Sequence, residues 1–234
     1  RITYYIFGTS FLRGPPAQYM VLGLVGISIL FCSSNAVKEQ HLKRRFAYST
    51  ASNLSYILFG FLLMTPMGMI GGLTHMIFHG IMKISLFFAV GAIMHQTGKH
   101  YIYEIAGLAK KMPVVFGCMS VAGIALIGIP PLTGFISKWN IATGAVDAYQ
   151  KGNWLAPYLI LILVLSAFLT AIYIFTILGK AYLVEPAGDN GETNCDPGWQ
   201  MKVPMVLFAI LIVVFGLYSK PLMTFFTWVA NGLL

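Results

Sequence analysis

His75, His79 and Lys83 recur at four-residue intervals inside an apolar stretch. Between Gly68 and Met94, Lys83 is the only Lys, Arg, Asp or Glu. The stretch is long enough to cross a bilayer, and Lys83 lies near its centre. A charged lysine at that depth costs roughly 2.5–3.5 kcal/mol on insertion scales. Four-residue spacing on a helix stacks side chains on one face, so the three form a column of titratable groups within a membrane. Neutral imidazole passes protons near pH 7 in response to small changes. A lysine stripped of water gives up its proton, pairs with a carboxylate from elsewhere, or is hydrated by internal water. Each outcome lets a small change flip its charge, which is the chemistry of proton relay.

Lys138 is the second lysine held inside an apolar run. That run, Pro113 to Val146, has 34 residues, about 51 Å as one helix, too long for one crossing without steep tilt. Its middle reads Gly128-Ile129-Pro130-Pro131-Leu132-Thr133-Gly134. Two prolines remove two backbone donors and break the helix at Pro130 and Pro131. Irregular backbone at membrane depth is tolerated where it is buried in protein or lines a water-filled cavity, and broken spans recur at ion sites. A plain proline kink is the alternative; Lys138, seven residues past Pro131, favours function. Thr133 and Ser137 join the candidate polar lining.

A third polar feature is Tyr48-Ser49-Thr50-Ala51-Ser52-Asn53-Leu54-Ser55-Tyr56. Two compatible readings exist: small polar residues packing helix on helix, and hydroxyls lining ordered water. Tyr48, Ser49, Ser52, Ser55 and Tyr56 are the candidates. Lys83 and Lys138 are expected to point into the bundle at similar depth, joined by water and these hydroxyls. A metal site would need a third ligand beside His75 and His79, and none lies on that helix. A bis-histidine haem is equally weak, because His95 and His100 lie at or beyond the end of the span. No nucleophile–base pair, phosphate loop or dinucleotide fingerprint is present. No catalytic centre, cofactor or metal is therefore expected on this chain.

The elements that must hold these groups are helical spans. The chain is 58% hydrophobic and 9% charged, whereas soluble domains carry about 25% charged residues. Apolar runs at 17–33, 46–64, 68–95, 113–146, 154–179 and 203–219 predict an all-α membrane bundle of about six spans, the fourth broken. They lack the two-residue alternation of a membrane barrel. The net charge of +8 does not indicate nucleic acid, because the basic residues cluster between spans. Nine lie in the loops at 34–45, 96–112 and 180–202, and four at the other side: Arg1, Arg13, Lys151 and Lys220. Positive-inside counting puts the three basic loops in the cytoplasm and both chain ends outside.

Cys32, Cys118 and Cys195 are an odd count and read as free thiols in a reducing compartment. Arg1 to Phe11 has no features of a signal peptide and reads as the outer end of a preceding span. Residues 1–234 are expected to form one transmembrane domain that lacks earlier helices. Glu185 to Asp196 reads as a solvated linker. Lys220 to Leu234 either extends the sixth span or lies at the interface.

Four motifs, in order, carry a resemblance. Lys43 to Tyr56 resembles the "KRLLAYSSISQIGY" stretch of antiporter-like membrane subunits. His75 to Phe87 resembles their "HLxxHAxFKALLF" helix, Gly107 to Pro113 their "GLxKKMP" loop, and Gly128 to Lys138 their "GxPPxxGFxSK" segment. This family comprises the proton-pumping subunits of NADH–quinone oxidoreductase (respiratory complex I), and subunits of multisubunit cation/proton antiporters and of membrane-bound hydrogenases. The resemblance implies that Lys83 is a central relay lysine, His75 and His79 its histidines, and Lys138 a terminal lysine on the second broken helix. It implies a fourteen-helix fold with two inverted five-helix repeats, of which this chain covers the second and one further helix. The glutamate–lysine pair of the first repeat is absent here, so a carboxylate partner is expected from absent sequence or a neighbouring subunit.

The resulting expectation is a proton-translocating, or Na+/H+-translocating, subunit in the prokaryotic plasma membrane. Its partners would be lipid and the other membrane subunits of a hetero-oligomeric complex. A non-transporting scaffold of the same fold and a membrane oxidoreductase with its own metal are the competing classes.

Overall fold

The computed structural model describes residues 15–185 and 195–233. The expectations for Arg1 to Phe11 and for most of the 185–196 linker lie outside them. Among the described residues, nine α-helices follow one another: α1 (Pro15–Lys38), α2 (Leu42–Leu62), α3 (Pro66–Thr97), α4 (Leu108–Lys111), α5 (Pro113–Ile127), α6 (Thr133–Gln150), α7 (Ala156–Leu183), α8 (Trp199–Leu217) and α9 (Lys220–Leu233). A 3-10 turn, Ile102–Ile105, precedes α4.

Four of these helices, α1, α3, α7 and α8, are long and apolar enough to cross a membrane. The other two expected spans differ for physical reasons. The second run becomes α2, which has 21 residues but a polar stripe along its buried side. The fourth run is divided: α5 ends at Ile127 and α6 begins at Thr133. Gly128 takes φ 97 in the left-handed region at the end of α5, a conformation glycine adopts without a Cβ penalty. Pro130 and Pro131 occupy the connection, and their peptide bond is cis.

Helix α3 is central. It packs on α2, α5, α6, α8 and α9. Its start is defined by Thr65, whose Oγ1 accepts from Gly68 N at 3.1 Å, followed by Pro66 in the first turn, where a missing N–H is harmless. One apolar core gathers Phe46, Phe78, Met82, Leu86, Phe116, Met119, Ile174 and Ile177 around one half of α3. A second joins α1, α2, α6 and α7 through Leu22, Ile29, Phe59, Ile141 and Leu159.

The residues after α8 do not extend it. The chain breaks at Tyr218 and Ser219, and α9 folds back so that Phe226 and Ala230 pack on Met69 and Ile70 of α3.

The basic segments collect at one end of the bundle. Leu42 N donates to His100 O and Ile102 N to Gln40 O, so the α1–α2 and α3–α4 connections pair as an isolated bridge. Gly107 N reaches Lys180 O, and Cys195 N reaches Lys111 O. Glu104 Oε2 accepts from His100 N and Tyr101 N, each at 2.8 Å. These backbone donors hold the Glu104 carboxyl below its ordinary range. Lys38 and Lys180 lie in last helical turns, and Lys43, Arg44, Arg45 and Lys202 in first turns.

Candidate functional site: a buried lysine–histidine line

The site is built where α3 faces α2 and α6. Lys83 is 5% exposed. Its Nζ donates to Ser49 Oγ at 2.6 Å and to Phe46 O at 3.2 Å, and lies 5.4 Å from the Phe46 ring centroid. Helix α2 supplies these acceptors because its buried residues recur at helical spacing: Arg45, Ser49, Ser52, Asn53 and Tyr56.

His75 is fully buried. Its Nδ1 meets Ser137 Oγ at 2.9 Å and its Nε2 meets Asn53 Oδ1 at 3.2 Å. Asn53 Nδ2 donates to Ser49 O at 2.8 Å, so Asn53 Oδ1 is the acceptor and His75 Nε2 carries a proton. Neutral His75 then accepts at Nδ1 from the Ser137 hydroxyl. When His75 takes a second proton, Ser137 turns its own to Gly134 O, 3.2 Å away. The arrangement satisfies both charge states.

His79 stacks on His75, centroids 5.8 Å apart and planes at 15°. Its buried Nε2 has no hydrogen-bond partner among the described residues. His79 lies one turn from Lys83 and one turn from His75, so this nitrogen falls where the polar line is interrupted.

Lys138 is carried by α6 next to Ser137 and is partly buried. Its Nζ donates to Leu126 O at 2.8 Å and Ile127 O at 3.0 Å. Those are among the last carbonyls of α5, which lack partners within the helix and sit at the negative end of its dipole. The helix break thus provides the acceptors for its own lysine. Lys138 Nζ also lies 5.5 Å from the centroid of Tyr56, whose ring meets His75 edge-on.

The remaining candidates divide. Ser49 and Tyr56 touch the lysines directly. Ser52 is buried but turns to Ser33 and Ser166. Ser55 bonds to Ser28 of α1 and stands apart. Tyr48 is 36% exposed, off the line. Thr133 is fully buried with its hydroxyl unpartnered among the described residues. The lysines do not share one depth: Lys83 meets α2 at Phe46 and Ser49, and Lys138 meets it at Tyr56, roughly two helical turns further along.

Arg45 corrects another expectation. Counted as a loop charge, it is 1% exposed. Its guanidinium donates to Glu39 O at 2.8 Å, Val37 O at 3.0 Å and Tyr173 O at 3.1 Å. Neither Asn53 nor any residue of α7 figured among the expected site residues. A signal was there: Ser166, Thr170 and Tyr173 have i, i+4, i+7 spacing, a polar stripe on an otherwise apolar helix.

The family comparison decides the membership. Residues 3–170 match the model of the transmembrane NADH:quinone oxidoreductase/Mrp antiporter family. The chain belongs to this family. NADH-quinone oxidoreductase subunit N of Desulforudis audaxviator is 32% identical over 96% of this chain and 46% of its own length. F(420)H(2) dehydrogenase subunit M of Methanosarcina mazei is 32% identical over 89% of this chain and 41% of its own. The chain therefore spans less than half the length of these curated relatives. Among solved structures, the membrane-bound sulfane sulfur reductase, an archaeal respiratory membrane complex, contains a chain 30% identical. Its TM-score is 0.76, covering 86% of this chain and 32% of that one. The Mrp complex from Dietzia sp. shares the fold at TM-score 0.83, with 22% identity over 95% of this chain and 48% of that one. This family member is thus an integral, multi-pass membrane protein, and its relatives are subunits of multisubunit membrane complexes.

Proposed function

We propose that this chain is the second-repeat portion of a subunit that moves protons across a membrane, with Lys83, His79, His75 and Lys138 as the relay. The observation that carries the reading is the pair of inward-turned lysines with His75 between them. Each is held by groups that tolerate gain or loss of a proton. Lys83 loads on the Ser49 side, the charge passes by way of His79 and His75, and Lys138 receives it at the helix break. Membership of a family named for NADH:quinone oxidoreductases and Mrp antiporters supports ion movement as the activity. The proposed setting is a prokaryotic plasma membrane, within a complex I-like or cation/proton antiporter complex, with the basic loops in the cytoplasm. Protons are the proposed cargo, with sodium the second ion to assay.

The test uses the full-length protein in its assembled complex in sealed vesicles. Lys83→Ala abolishes proton uptake while the complex still assembles, since removing a buried charge relieves its desolvation. Lys83→Arg fails too, because arginine keeps its proton at any working pH. His79→Ala slows transport less, because water can stand in for an imidazole. Normal pumping by Lys83→Arg would show that a fixed charge suffices and would end the relay reading. A scaffold of the same fold would be indifferent to all three changes.

A further inference from the structure

Tyr173 of α7 is 1% exposed, and its hydroxyl is bonded to Ser49 Oγ, the same oxygen that receives the Lys83 ammonium. Thr170, one turn back on α7, is buried and donates to Ser166 O at 2.8 Å. Arg45 binds the backbone carbonyl of Tyr173, and the next residue along α2, Phe46, supplies the second acceptor of Lys83. Three helices thus converge on one ammonium group.

A serine hydroxyl has one proton and two acceptor sites. While Lys83 donates into Ser49 Oγ, the Ser49 proton points elsewhere, and the Tyr173 oxygen stands within reach to accept it. When Lys83 is neutral, its lone pair takes the Ser49 proton. The Ser49 oxygen then needs a new donor, and Tyr173 O–H supplies one. Because a phenol can donate or accept, the Ser49–Tyr173 pair accommodates both states of Lys83. We propose that Tyr173 is a positioning residue for Lys83, holding Ser49 ready for either charge state, with Arg45 fixing the turn of α7 that carries it.

This rests on the relay reading of Lys83. Other groups set its background: His79 on α3, Lys138 from α6, and Arg45 and Tyr56 from α2. Helix α5 buries Cys118, which interacts with Asp196. Helices α8 and α9 bring only Lys202 and Lys220, in their first turns.

The experiment measures proton uptake against pH in vesicles holding the assembled complex, normalised to the amount assembled. Tyr173→Phe keeps the ring and deletes the hydroxyl. It slows uptake about three- to tenfold and moves the pH midpoint by about half a unit or more. Ser49→Ala moves the midpoint likewise, and the double variant is no slower than Ser49→Ala alone, as expected for residues acting in series. A hydroxyl that merely tightens the α2–α7 contact would lower assembly equally at every pH and leave the midpoint in place. A Tyr173→Phe profile superimposable on the parent overturns the proposal, as does a double variant whose loss is the product of the singles. If Tyr173→Phe does not assemble, an unmoved Ser49→Ala midpoint overturns it. Lys83→Ala, run in parallel, separates the two failures. Normal uptake there ends the relay reading and this one together, whereas loss there with an unmoved Tyr173→Phe profile ends this one alone.

Discussion

Asn53 is the residue that ties the His75 end of the line to α2. Its amide reaches Ser49 O on one side and His75 Nε2 on the other, which forces the tautomer that lets Ser137 donate to Nδ1. Asn53→Leu fills similar space but leaves the imidazole N–H unpaired in an apolar site, at about 1–3 kcal/mol. His75 is then free to adopt the other tautomer, which cannot accept from Ser137. The expected outcome is at least a tenfold loss of proton uptake, about the lower end of what a positioned proton-transfer group contributes, with assembly retained. Uptake within twofold of the parent would show that His75 orientation is irrelevant. Asn53 was visible in the sequence only as one polar residue among several. Tyr48 and Ser55 looked equivalent to it, because a run of nine mostly polar residues covers every face of a helix.

At the scale of elements, the broken crossing is the device that positions Lys138. Its lysine must reach back to carbonyls of a helix that ended several residues earlier, so the end of α5 and the start of α6 must touch. Gly134 permits this: a Cβ there would run into the Ala125 carbonyl oxygen. Gly134→Ala should push the two half-helices apart and draw Lys138 away from Leu126 O and Ile127 O. A cost of about 1–3 kcal/mol is ordinary for overpacking. The predicted result is a lower melting temperature of the purified complex together with lost uptake. Gly117→Ala on α5, where a Cβ meets nothing within 4 Å, should leave both unchanged. Equal behaviour of the two variants would remove the close approach from the argument. The existence of the break was legible from Pro130 and Pro131. The lysine's partners were not, because the return of α6 towards α5 is a matter of tertiary path.

For the molecule as a whole, the pairing of the α1–α2 connection with the α3–α4 connection, and the bonds Gly107 N to Lys180 O and Cys195 N to Lys111 O, bring the three basic segments to one end. That they share an end is a property of the fold; which compartment it faces is the proposal drawn from positive-inside counting. A single cysteine introduced at Lys99, with Cys32, Cys118 and Cys195 replaced, should react with an impermeant maleimide only in inside-out vesicles. Labelling from outside intact cells would invert the proposed topology and with it the direction of the relay.

The one-dimensional signals in the chain were enough for its class. Apolar run lengths, the four-residue spacing of His75, His79 and Lys83, the proline pair and the clustering of basic residues each survive without knowing any contact. They marked the helices, the break and three of the four helices of the site. What only the tertiary structure decided was which faces meet. It turned Arg45 from a loop charge into a buried clasp, set Lys83 and Lys138 at different levels of α2, and brought Tyr173 of α7 to Ser49. The reason is physical: a helix presents several faces with similar composition, and the choice among them follows from packing against neighbours far away in the chain.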